Sequence, residues 1–529
     1  MKRRLLLIAA AIVPLSAAAI APMAADAVTS TGAGIPRAST CEVFTVSAPP
    51  GATVEEVTAT ANPGGTVTFP ANPVLGTPDP VTGVPAFCDI TVKLTHPGAG
   101  DHVTVKVSLP SDKADWSGRL QAVGGSAYLA GNLNGNETVT AVKNGYVATV
   151  TDAGVGQNPL DTSWALQPEG KELLTDFASR SLHDMTVVAK DVTKRFYGKP
   201  VTYSYWNGCS TGGRQGYAEA QRYPDDYDGI LANAPAINWD RFAVGTLWPA
   251  VVFHEEKVAP SACEIAAFND AAVKACDTID GVKDGIIDDP QDCTWNPRKL
   301  VGTTVVCDGK TLTITKAEAD AIRKIWAGPV SPSGKRLWYG PNKGADIASY
   351  LANPAQPFFV ADLWTKFFVT GDPAFDTKSL TYGAYAELFA ASQRRFHRVI
   401  GTDDPDLRAF RDAGGKLLTW QGQNDQLVPT QGTVDYRERV ERRLGGNAKV
   451  NDFYRLFLLP GVDHCQGGTG PQAVDPLNAL VTWVEKGRAP ATLATATAGG
   501  VTRNACPFPR VARYAGHGDV TKAANFRCA

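Results

Sequence analysis

The sequence lacks a charge excess of either sign and, beyond its N-terminus, any long apolar run. Its 529 residues hold 51 Lys and Arg against 53 Asp and Glu, so the formal net charge is −2. No basic run follows the first few residues, which gives no electrostatic reason to expect nucleic acid or an anionic membrane as a partner. A chain of this length can bury a large core, which excludes a miniprotein that depends on disulfide bonds for its stability.

The N-terminus has the order of a secretory signal peptide. Three basic residues at positions 2–4 precede an apolar run, Leu5 to Pro22, and the small-residue pattern Ala25-Asp26-Ala27. This order predicts cleavage near Ala27 and export of the mature chain, with a lone membrane anchor as the alternative. No later stretch approaches the roughly 20 apolar residues of a membrane span. In an exported chain the ten cysteines most simply form five disulfide bonds.

The order of apolar segments predicts an α/β fold with a mainly parallel sheet. Strand-like alternation up to about residue 115 gives way to apolar strands that alternate with helical stretches, which is typical of βαβ units. Residues 237–405 break this rhythm with four cysteines, many Pro and Gly, and a cluster of aromatic residues. We therefore predict one α/β domain, residues 28–236 and 406–529, interrupted by a lid domain at residues 237–405.

The strongest local motif is Gly208-Cys209-Ser210-Thr211-Gly212, which matches the pattern G-x-S-x-G. It lies between a strand-like segment, Val201 to Tyr205, and a helical run, Arg214 to Arg222. In α/β-hydrolases this strand-turn-helix context is a nucleophile elbow, in which a strained turn exposes the serine hydroxyl above the sheet. We therefore expect Ser210 to be a nucleophile, and the alternative is a serine that only caps the helix.

A serine nucleophile needs a histidine base and an acid that orients the base. In α/β-hydrolases these partners follow the serine in the order acid, histidine. The chain has only seven histidines, and His464 comes after the last strong strand signal. Asp425 directly follows a strand, whereas the rival acid, Asp463, is adjacent to the histidine. We expect Asp425 to be the acid, because a neighbouring side chain usually points away from the imidazole.

Two cysteines flank the proposed nucleophile and base. Cys209 precedes Ser210, and Cys465 follows His464. A disulfide bond requires Cα atoms roughly 4.4 to 6.8 Å apart, so a bond between these two cysteines would bring nucleophile and base within reach. The alternative is that both cysteines pair elsewhere.

An oxyanion that forms on acyl transfer needs preorganised N–H donors. The backbone N–H of Thr211, next to the nucleophile, is the expected first donor. For the second donor we consider the glycine pair that ends an early strand, with Gly125 preferred and Gly124 close behind. The alternative is that these glycines only form a tight turn.

Residues 277–289 contain five aspartates within thirteen residues, interleaved with glycines. Such a loop can fold its oxygens around a hard cation such as Ca²⁺. We expect the carboxylates of Asp277, Asp280 and Asp284 as ligands, together with the carbonyls of Val282 and Ile286. The segment is not a full EF-hand, and a solvated acidic loop is the alternative.

These motifs together resemble the tannase and feruloyl esterase family, whose members include hydrolases of terephthalate monoesters. The resemblance extends over nearly all of the mature chain, and the motifs that carry it are residues 208–213, Asp425, the pair His464-Cys465, the acidic loop and the late cysteines 506 and 528. It implies an α/β-hydrolase fold with a large inserted lid, a structural calcium ion in that lid, and a disulfide bond between the neighbours of nucleophile and base.

Carried over to this chain, the resemblance implies a complete set of site residues. The triad would be Ser210, Asp425 and His464, and the calcium ligands would be Asp277, Asp280, Val282, Asp284 and Ile286. The implied disulfide pairs are Cys209–Cys465, Cys41–Cys88, Cys276–Cys293, Cys506–Cys528 and Cys263–Cys307.

The expected function is that of a secreted serine carboxylesterase that hydrolyses aromatic, hydroxycinnamate-type (feruloyl) esters through an acyl-enzyme. The first alternatives are tannase activity and the hydrolysis of mono(hydroxyethyl) terephthalate. A more distant one is a non-catalytic secreted protein that binds polyphenol or carbohydrate. Aromatic residues of the lid are expected to line the acyl pocket, and Arg394 or Arg395 is a candidate receiver of a substrate carboxylate. The oligomeric state is left open.

Overall fold

A mainly parallel sheet organises the protein in the computed structural model, which describes residues 41–71, 76–349, 351–353 and 356–529. The predicted signal peptide, residues 1–27, lies outside the described residues. The described strands, in chain order, are β1 (Thr53–Asn62), β2 (Gly65–Val67), β3 (Val81–Val84), β4 (Phe87–Thr95), β5 (Val103–Pro110), β6 (Arg119–Val123), β7 (Tyr146–Thr151), β8 (Tyr203–Cys209), β9 (Gly229–Asn233), β10 (Thr304–Cys307), β11 (Lys310–Thr313), β12 (Lys416–Gly422), β13 (Tyr454–Leu459), β14 (Gln472–Ala473), β15 (Leu493–Ala496), β16 (Thr502–Ala505), β17 (Ala512–Tyr514) and β18 (Phe526–Cys528).

Helices connect and cover these strands. The described α-helices are α1 (Asn136–Lys143), α2 (Gly170–Ala178), α3 (Arg180–Tyr197), α4 (Thr211–Arg222), α5 (Trp239–Gly245), α6 (Trp248–Glu256), α7 (Ala262–Cys276), α8 (Lys316–Ala327), α9 (Phe359–Leu363), α10 (Tyr382–Ile400), α11 (Arg408–Asp412), α12 (Thr430–Leu444), α13 (Asn447–Asn451) and α14 (Pro476–Lys486). Short 3-10 helices cover Lys113–Asp115, Ser163–Leu166, Pro297–Leu300 and Ala523–Asn525, and a π-helix covers Trp364–Thr370.

Nine of the described strands form the central sheet, in the order β1-β4-β5-β7-β6-β8-β9-β12-β13. From β7 onwards all neighbours are parallel, whereas β1, β4 and β5 form an antiparallel edge. The parallel strands β7 and β9 are buried along their whole length because helices cover both faces of the sheet. This arrangement confirms the predicted α/β class.

Two apolar layers hold the helices on the sheet. One face packs against α3 and α4, through residues such as Met185 and Tyr217. The other face packs against α1 and α14, through Val142, Leu480 and Trp483. In a parallel sheet of this kind the carboxyl ends of the strands meet along one edge, so residues that follow β8, β12 and β13 are brought together there.

The segment between β9 and β12 contributes no strand to the central sheet within the residues that the structure describes. It carries α5 to α10 and a separate hairpin of β10 and β11. Its aromatic side chains pack in one apolar cluster with side chains from residues 128–178, and Trp239, Trp364 and Tyr385 are fully buried there. The division into domains at residues 237 and 405 stays a prediction.

All ten cysteines are joined in five disulfide bonds, in the pairs that the resemblance implied. The pairs are Cys41–Cys88, Cys209–Cys465, Cys263–Cys307, Cys276–Cys293 and Cys506–Cys528. No helix among the described residues is long and apolar enough to cross a membrane.

Candidate active site

Ser210 is the single residue between the end of β8 and the start of α4. Its backbone has φ 62° and ψ −119°, a conformation that costs a residue with a side chain about 1–3 kcal/mol. The surroundings enforce it, since the Ser210 N–H donates to the Asn233 carbonyl at 3.0 Å. A Cβ atom on Gly208 would lie 2.6 Å from the backbone of Gly212, so only glycine allows this close approach. The turn therefore has the geometry of a nucleophile elbow.

Asp425 and His464 meet at the carboxyl edge of the sheet, after β12 and β13. The imidazole Nδ1 of His464 lies 2.9 Å from Oδ2 and 3.1 Å from Oδ1 of Asp425. The buried carboxylate is held by further donors, because its Oδ1 accepts the N–H groups of Leu427 (3.0 Å) and Val428 (2.8 Å). A fixed carboxylate on Nδ1 leaves Nε2 as the nitrogen that can act as a base.

Two glutamines that sequence reasoning missed support this pair. Gln421 donates from Nε2 to Oδ2 of Asp425 at 2.9 Å, and it is itself held by the Thr433 hydroxyl at 2.7 Å. Gln426 accepts the backbone N–H of His464 at 2.9 Å. Strand β12 also contains the polar residues Lys416 and Thr419, so the sequence carries no distinct signal for Gln421, and only the fold shows that it is fully buried.

The rival acid Asp463 does not contact the imidazole. Within the part of the chain that the structure describes, its carboxylate makes no hydrogen bond to His464. Burial, together with the charges of Asp346 and Asp425, raises the pKa of Asp463 to about 6. The geometry therefore favours Asp425 as the orienting acid.

The disulfide bond between Cys209 and Cys465 joins the elbow to the loop that carries His464, with the two Cα atoms 5.9 Å apart. Ser210 and His464 are thus direct neighbours of one covalent link. Among the described residues the Ser210 hydroxyl makes no hydrogen bond to the imidazole. Catalytic hydrogen bonds are often long without substrate and tighten when it binds.

The oxyanion expectation needs a correction at its second donor. The N–H of Gly125 already donates to Oε1 of Gln215 at 2.9 Å, and that of Gly124 donates to the Asn207 carbonyl at 3.1 Å. A Cβ atom on Gly125 would lie 1.9 Å from the Leu129 carbonyl oxygen, so this glycine is required by a tight turn. Gly125 is therefore not a free donor.

Two other amides in this region have no acceptor within the described chain, those of Thr211 and Ala127. Thr211 opens helix α4, where the first N–H groups have no partner inside the helix. Its hydroxyl donates to the Ala127 carbonyl at 2.7 Å, which ties the two segments together. Both amides therefore remain available near Ser210.

A family model with the description "Tannase and feruloyl esterase" matches residues 88–529. The chain belongs to this family. A probable feruloyl esterase of Arthroderma benhamiae is 45% identical over 84% of this chain and 86% of that relative. A mono(2-hydroxyethyl) terephthalate hydrolase of Piscinibacter sakaiensis is 32% identical over 79% of this chain and 80% of that relative.

The solved structures agree with this membership. The crystal structure of feruloyl esterase B from Aspergillus oryzae superposes with a TM-score of 0.80 at 28% identity and covers 91% of this chain and 97% of that one. Membership in the tannase and feruloyl esterase family makes the chain a carboxylic ester hydrolase.

The acidic loop of this family member folds around Asp277. Its Oδ1 accepts the N–H groups of Asp284 (2.9 Å) and Gly285 (2.7 Å), and Oδ1 of Asp280 accepts the N–H of Val282 at 2.9 Å. The bond Cys276–Cys293 closes the loop. One cation, Arg503, lies 3.5 Å from Oδ2 of Asp280 and 3.1 Å from Oδ2 of Asp284.

The aromatic residues of the lid pack on each other and on the catalytic sheet's loops. Tyr128, next to Ala127, donates its hydroxyl to the Val360 carbonyl at 2.7 Å, and its ring stacks 6.0 Å from that of Phe368. Arg394 and Arg395 are exposed, and Arg395 donates to the Val369 carbonyl at 2.5 Å. Neither arginine contacts a residue of the proposed triad in the described chain.

The Cys209–Cys465 bond supports a mutational prediction. Replacing both cysteines by serine should lower the free energy of unfolding by about 4 kcal/mol, because the bond closes a loop of 256 residues. It should also lower kcat by about 10²-fold, since nucleophile and base lose their common anchor. Urea unfolding and p-nitrophenyl acetate hydrolysis measure the two effects. The matched variant without Cys263–Cys307, a bond within the segment predicted as the lid, should lose stability but keep its kcat; equal losses of kcat would refute the anchoring role.

Proposed function

We propose that this chain is a secreted feruloyl esterase that hydrolyses hydroxycinnamate esters through an acyl-enzyme. The observation that carries the proposal is the strained Ser210, tied through Cys209–Cys465 to a histidine whose Nδ1 is bound to a buried carboxylate. The substrate class is supported by the name of the relative that is 45% identical. Five disulfide bonds fit an oxidising, extracellular location.

In the proposed mechanism Ser210 attacks the ester carbonyl carbon. Nε2 of His464 takes the hydroxyl proton and returns it to the leaving alcohol, while Asp425 keeps the imidazole in the required tautomer. The amides of Thr211 and Ala127 would receive the oxyanion, with Ala127 in place of the Gly125 of the sequence-based expectation. Water then releases the aromatic acid by the same steps, and Ser210 regains its proton.

A panel of three esters tests the substrate class. We expect the highest kcat/KM on methyl ferulate, with methyl gallate and mono(2-hydroxyethyl) terephthalate at least about tenfold lower, since one misplaced polar group in a pocket has an effect of that order. A higher value on either of the latter would assign the chain to tannase or terephthalate monoesterase activity. Stoichiometric fluorophosphonate labelling at Ser210 would distinguish an esterase, whatever its substrate, from a non-catalytic binding protein.

We also propose that the acidic loop holds a structural Ca²⁺. The donor set fits, because the carboxylates of Asp277, Asp280 and Asp284 are hard oxygen ligands. The carbonyls of Val282 and Ile286 accept no hydrogen bond from any described residue, which leaves them available. Arg503 pairs with Asp280 and Asp284, and no cation of the described chain pairs with Asp277, so a divalent ion would neutralise the remaining charge. When bound, the ion would supply structural cross-linking of the loop and no chemistry at Ser210.

Metal removal gives a prediction for this loop. At a Ca²⁺ concentration a hundredfold above Kd, binding adds about 3 kcal/mol to the free energy of unfolding, so EDTA should lower Tm by several degrees. Asp280→Asn should abolish the Ca²⁺-dependent shift in Tm and the stoichiometric calcium found by metal analysis. The exposed neighbour Asp292, changed to Asn, is the matched control and should keep both. Stable protein without stoichiometric calcium would refute the proposal.

A further inference from the structure

A cavity lies between the lid segment and helix α12, and none of its lining residues belongs to the proposed triad. Its volume is about 380 Å³, which falls within the range of small-molecule sites. The walls come from residues 290–297, helix α8, residues 336–343 and Gln431 of α12. We call this cavity the lid groove.

The lining of the lid groove is positively charged. Arg323, Arg336 and Lys343 contribute side chains, and no carboxylate residue lines the cavity. Arg336 makes no ion pair with any described residue. Arg323 lies 3.7 Å from Asp320, but that carboxylate is already bound by two closer cations. The exposed Arg336 guanidinium is therefore free to bind an anion, and the exposed Arg323 guanidinium is held only by its longer contact with Asp320. The planar donors of both groups suit a carboxylate.

Aromatic rings form the other side of the lid groove. Trp295 and Trp326 lie 6.2 Å apart with their planes at 65°. The indole N–H of Trp326 is buried and has no acceptor within the described part of the chain. The Arg336 guanidinium lies over the ring of Tyr339, 5.4 Å from its centroid. Indole and phenol rings offer flat apolar faces next to N–H and O–H donors, a combination that suits a ring bearing hydroxyl groups.

The remaining lining is rich in amides. Gln291 donates to Oδ1 of Asn342 at 3.0 Å, and Asn296 and Gln431 lie in the same wall. Amide groups both donate and accept, so they match hydroxyl groups of either orientation. Gln291 and Asn296 are exposed, so water can satisfy them without a ligand, but a purely aromatic acid would use few of these amide groups whereas a ligand rich in hydroxyl groups would use most of them. The lining therefore favours a hydroxyl-rich anion over an aromatic one.

One lining residue of the lid groove, Asn342, is hydrogen-bonded to the catalytic loop. Nδ2 of Asn342 donates to the backbone carbonyl of Gln423 at 3.0 Å and to its Oε1 at 3.1 Å. Gln423 directly follows strand β12 and precedes Asp425 by two residues. A ligand in the groove would thus be bound close to the loop that positions the catalytic acid.

We propose that the lid groove binds an acidic oligosaccharide, with its uronate carboxylate on Arg323 and Arg336 and a sugar face on the tryptophan rings. The groove would hold the carbohydrate part of a feruloylated polysaccharide during hydrolysis. This role deepens the proposed esterase function and rests on it, whereas binding of the oligosaccharide does not depend on catalysis.

Calorimetry on the intact protein tests the binding. The probes are a xylo-oligosaccharide that carries one glucuronic acid and the neutral xylo-oligosaccharide of equal length, neither of which contains an ester. We expect the acidic probe to bind at least about tenfold more tightly, and Arg336→Gln to remove this preference. Lys335→Gln is the matched control, because Lys335 is the exposed neighbour outside the groove. The control should bind like the unaltered protein.

Several results would overturn the inference. Equal affinity for the acidic and the neutral probe would contradict it. So would a preference for the acidic probe that persists in Arg336→Gln, or one that is lost equally in Lys335→Gln. Tighter binding of free ferulate than of the acidic probe, lost in Arg336→Gln, would show an aromatic-acid site instead. The control Lys335→Gln should also leave kcat/KM on methyl ferulate unchanged. Failure of the proposed function would appear as no hydrolysis of methyl ferulate, with oligosaccharide binding unaffected.

Discussion

Ser210→Ala is expected to lower kcat on methyl ferulate and p-nitrophenyl acetate by about 10⁵-fold. The variant keeps Asp425, His464 and the free amides, so only the rate enhancement that arises without a covalent intermediate remains. Alanine and serine both carry a Cβ atom, so the strained φ of 62° costs the two residues a similar amount and the fold should be preserved. Steady-state kinetics, with the circular dichroism spectrum as a check on folding, measures the effect.

The same variant decides between a nucleophile and a helix cap. A capping serine would give a loss of stability of about 1 kcal/mol and leave the rate almost unchanged. The Ser210 side chain accepts no capping hydrogen bond from the N–H groups of helix α4 in the structure, which argues against the capping role. Retained hydrolysis in Ser210→Ala would refute the proposed mechanism.

The elbow could be predicted from the sequence because its signals are local. A strand, two flanking glycines and a helix occur within about twenty residues, and chain order alone directs the search for the other two residues. The cysteines add a long-range restraint, since Cys209 and Cys465 are 256 positions apart and each lies next to a proposed catalytic residue. Together these signals predict Asp425 and His464 as the partners of Ser210. In the structure Nδ1 of His464 lies 2.9 Å from Oδ2 of Asp425.

The second oxyanion donor could not be predicted in this way. A glycine pair after a strand shows that the backbone is approached closely, but not by which group. In the structure Gly125 is approached by the Leu129 carbonyl and by the side chain of Gln215, which comes from α4, 90 residues later. The availability of an amide depends on such tertiary contacts, and the free amide of Ala127 carries no sequence signal.

The lid shows the same limit. Its aromatic residues were expected to line the acyl pocket, yet Trp364 is fully buried and Phe368 almost so, in contact with other rings. Composition predicts that such side chains are buried away from solvent, but it does not distinguish a hydrophobic core from the wall of a pocket. The lid groove could not be predicted from the sequence either. Its basic residues Arg323, Arg336 and Lys343 lie within 20 positions of one another, but only the fold shows that they line one cavity.

Asp425→Asn is expected to lower kcat by about 10⁴-fold, because the amide supports the wrong imidazole tautomer. The N–H groups of Leu427 and Val428 require an acceptor at Oδ1, so the asparagine oxygen should stay there. Its NH₂ group would then face Nδ1 of His464 and Nε2 of Gln421, which donate to Oδ2 in the unaltered protein. The imidazole would then carry its proton on Nε2. A protonated Nε2 cannot accept the hydroxyl proton of Ser210. Steady-state kinetics on methyl ferulate measures the loss.

The matched control is Asp463→Asn, which should keep kcat within about threefold because Asp463 makes no contact with the imidazole in the described chain. Its effect should appear in stability instead. The pKa of Asp463 is raised to about 6 in the folded protein by burial and by the charges of Asp346 and Asp425. The folded state therefore binds more protons than the unfolded state between about pH 4 and 6, so this group makes the free energy of unfolding fall as pH rises through that window. Asp463→Asn should remove that fall in urea unfolding at pH 4 to 7. A loss of kcat in Asp463→Asn as large as in Asp425→Asn would instead identify Asp463 as part of the catalytic machinery.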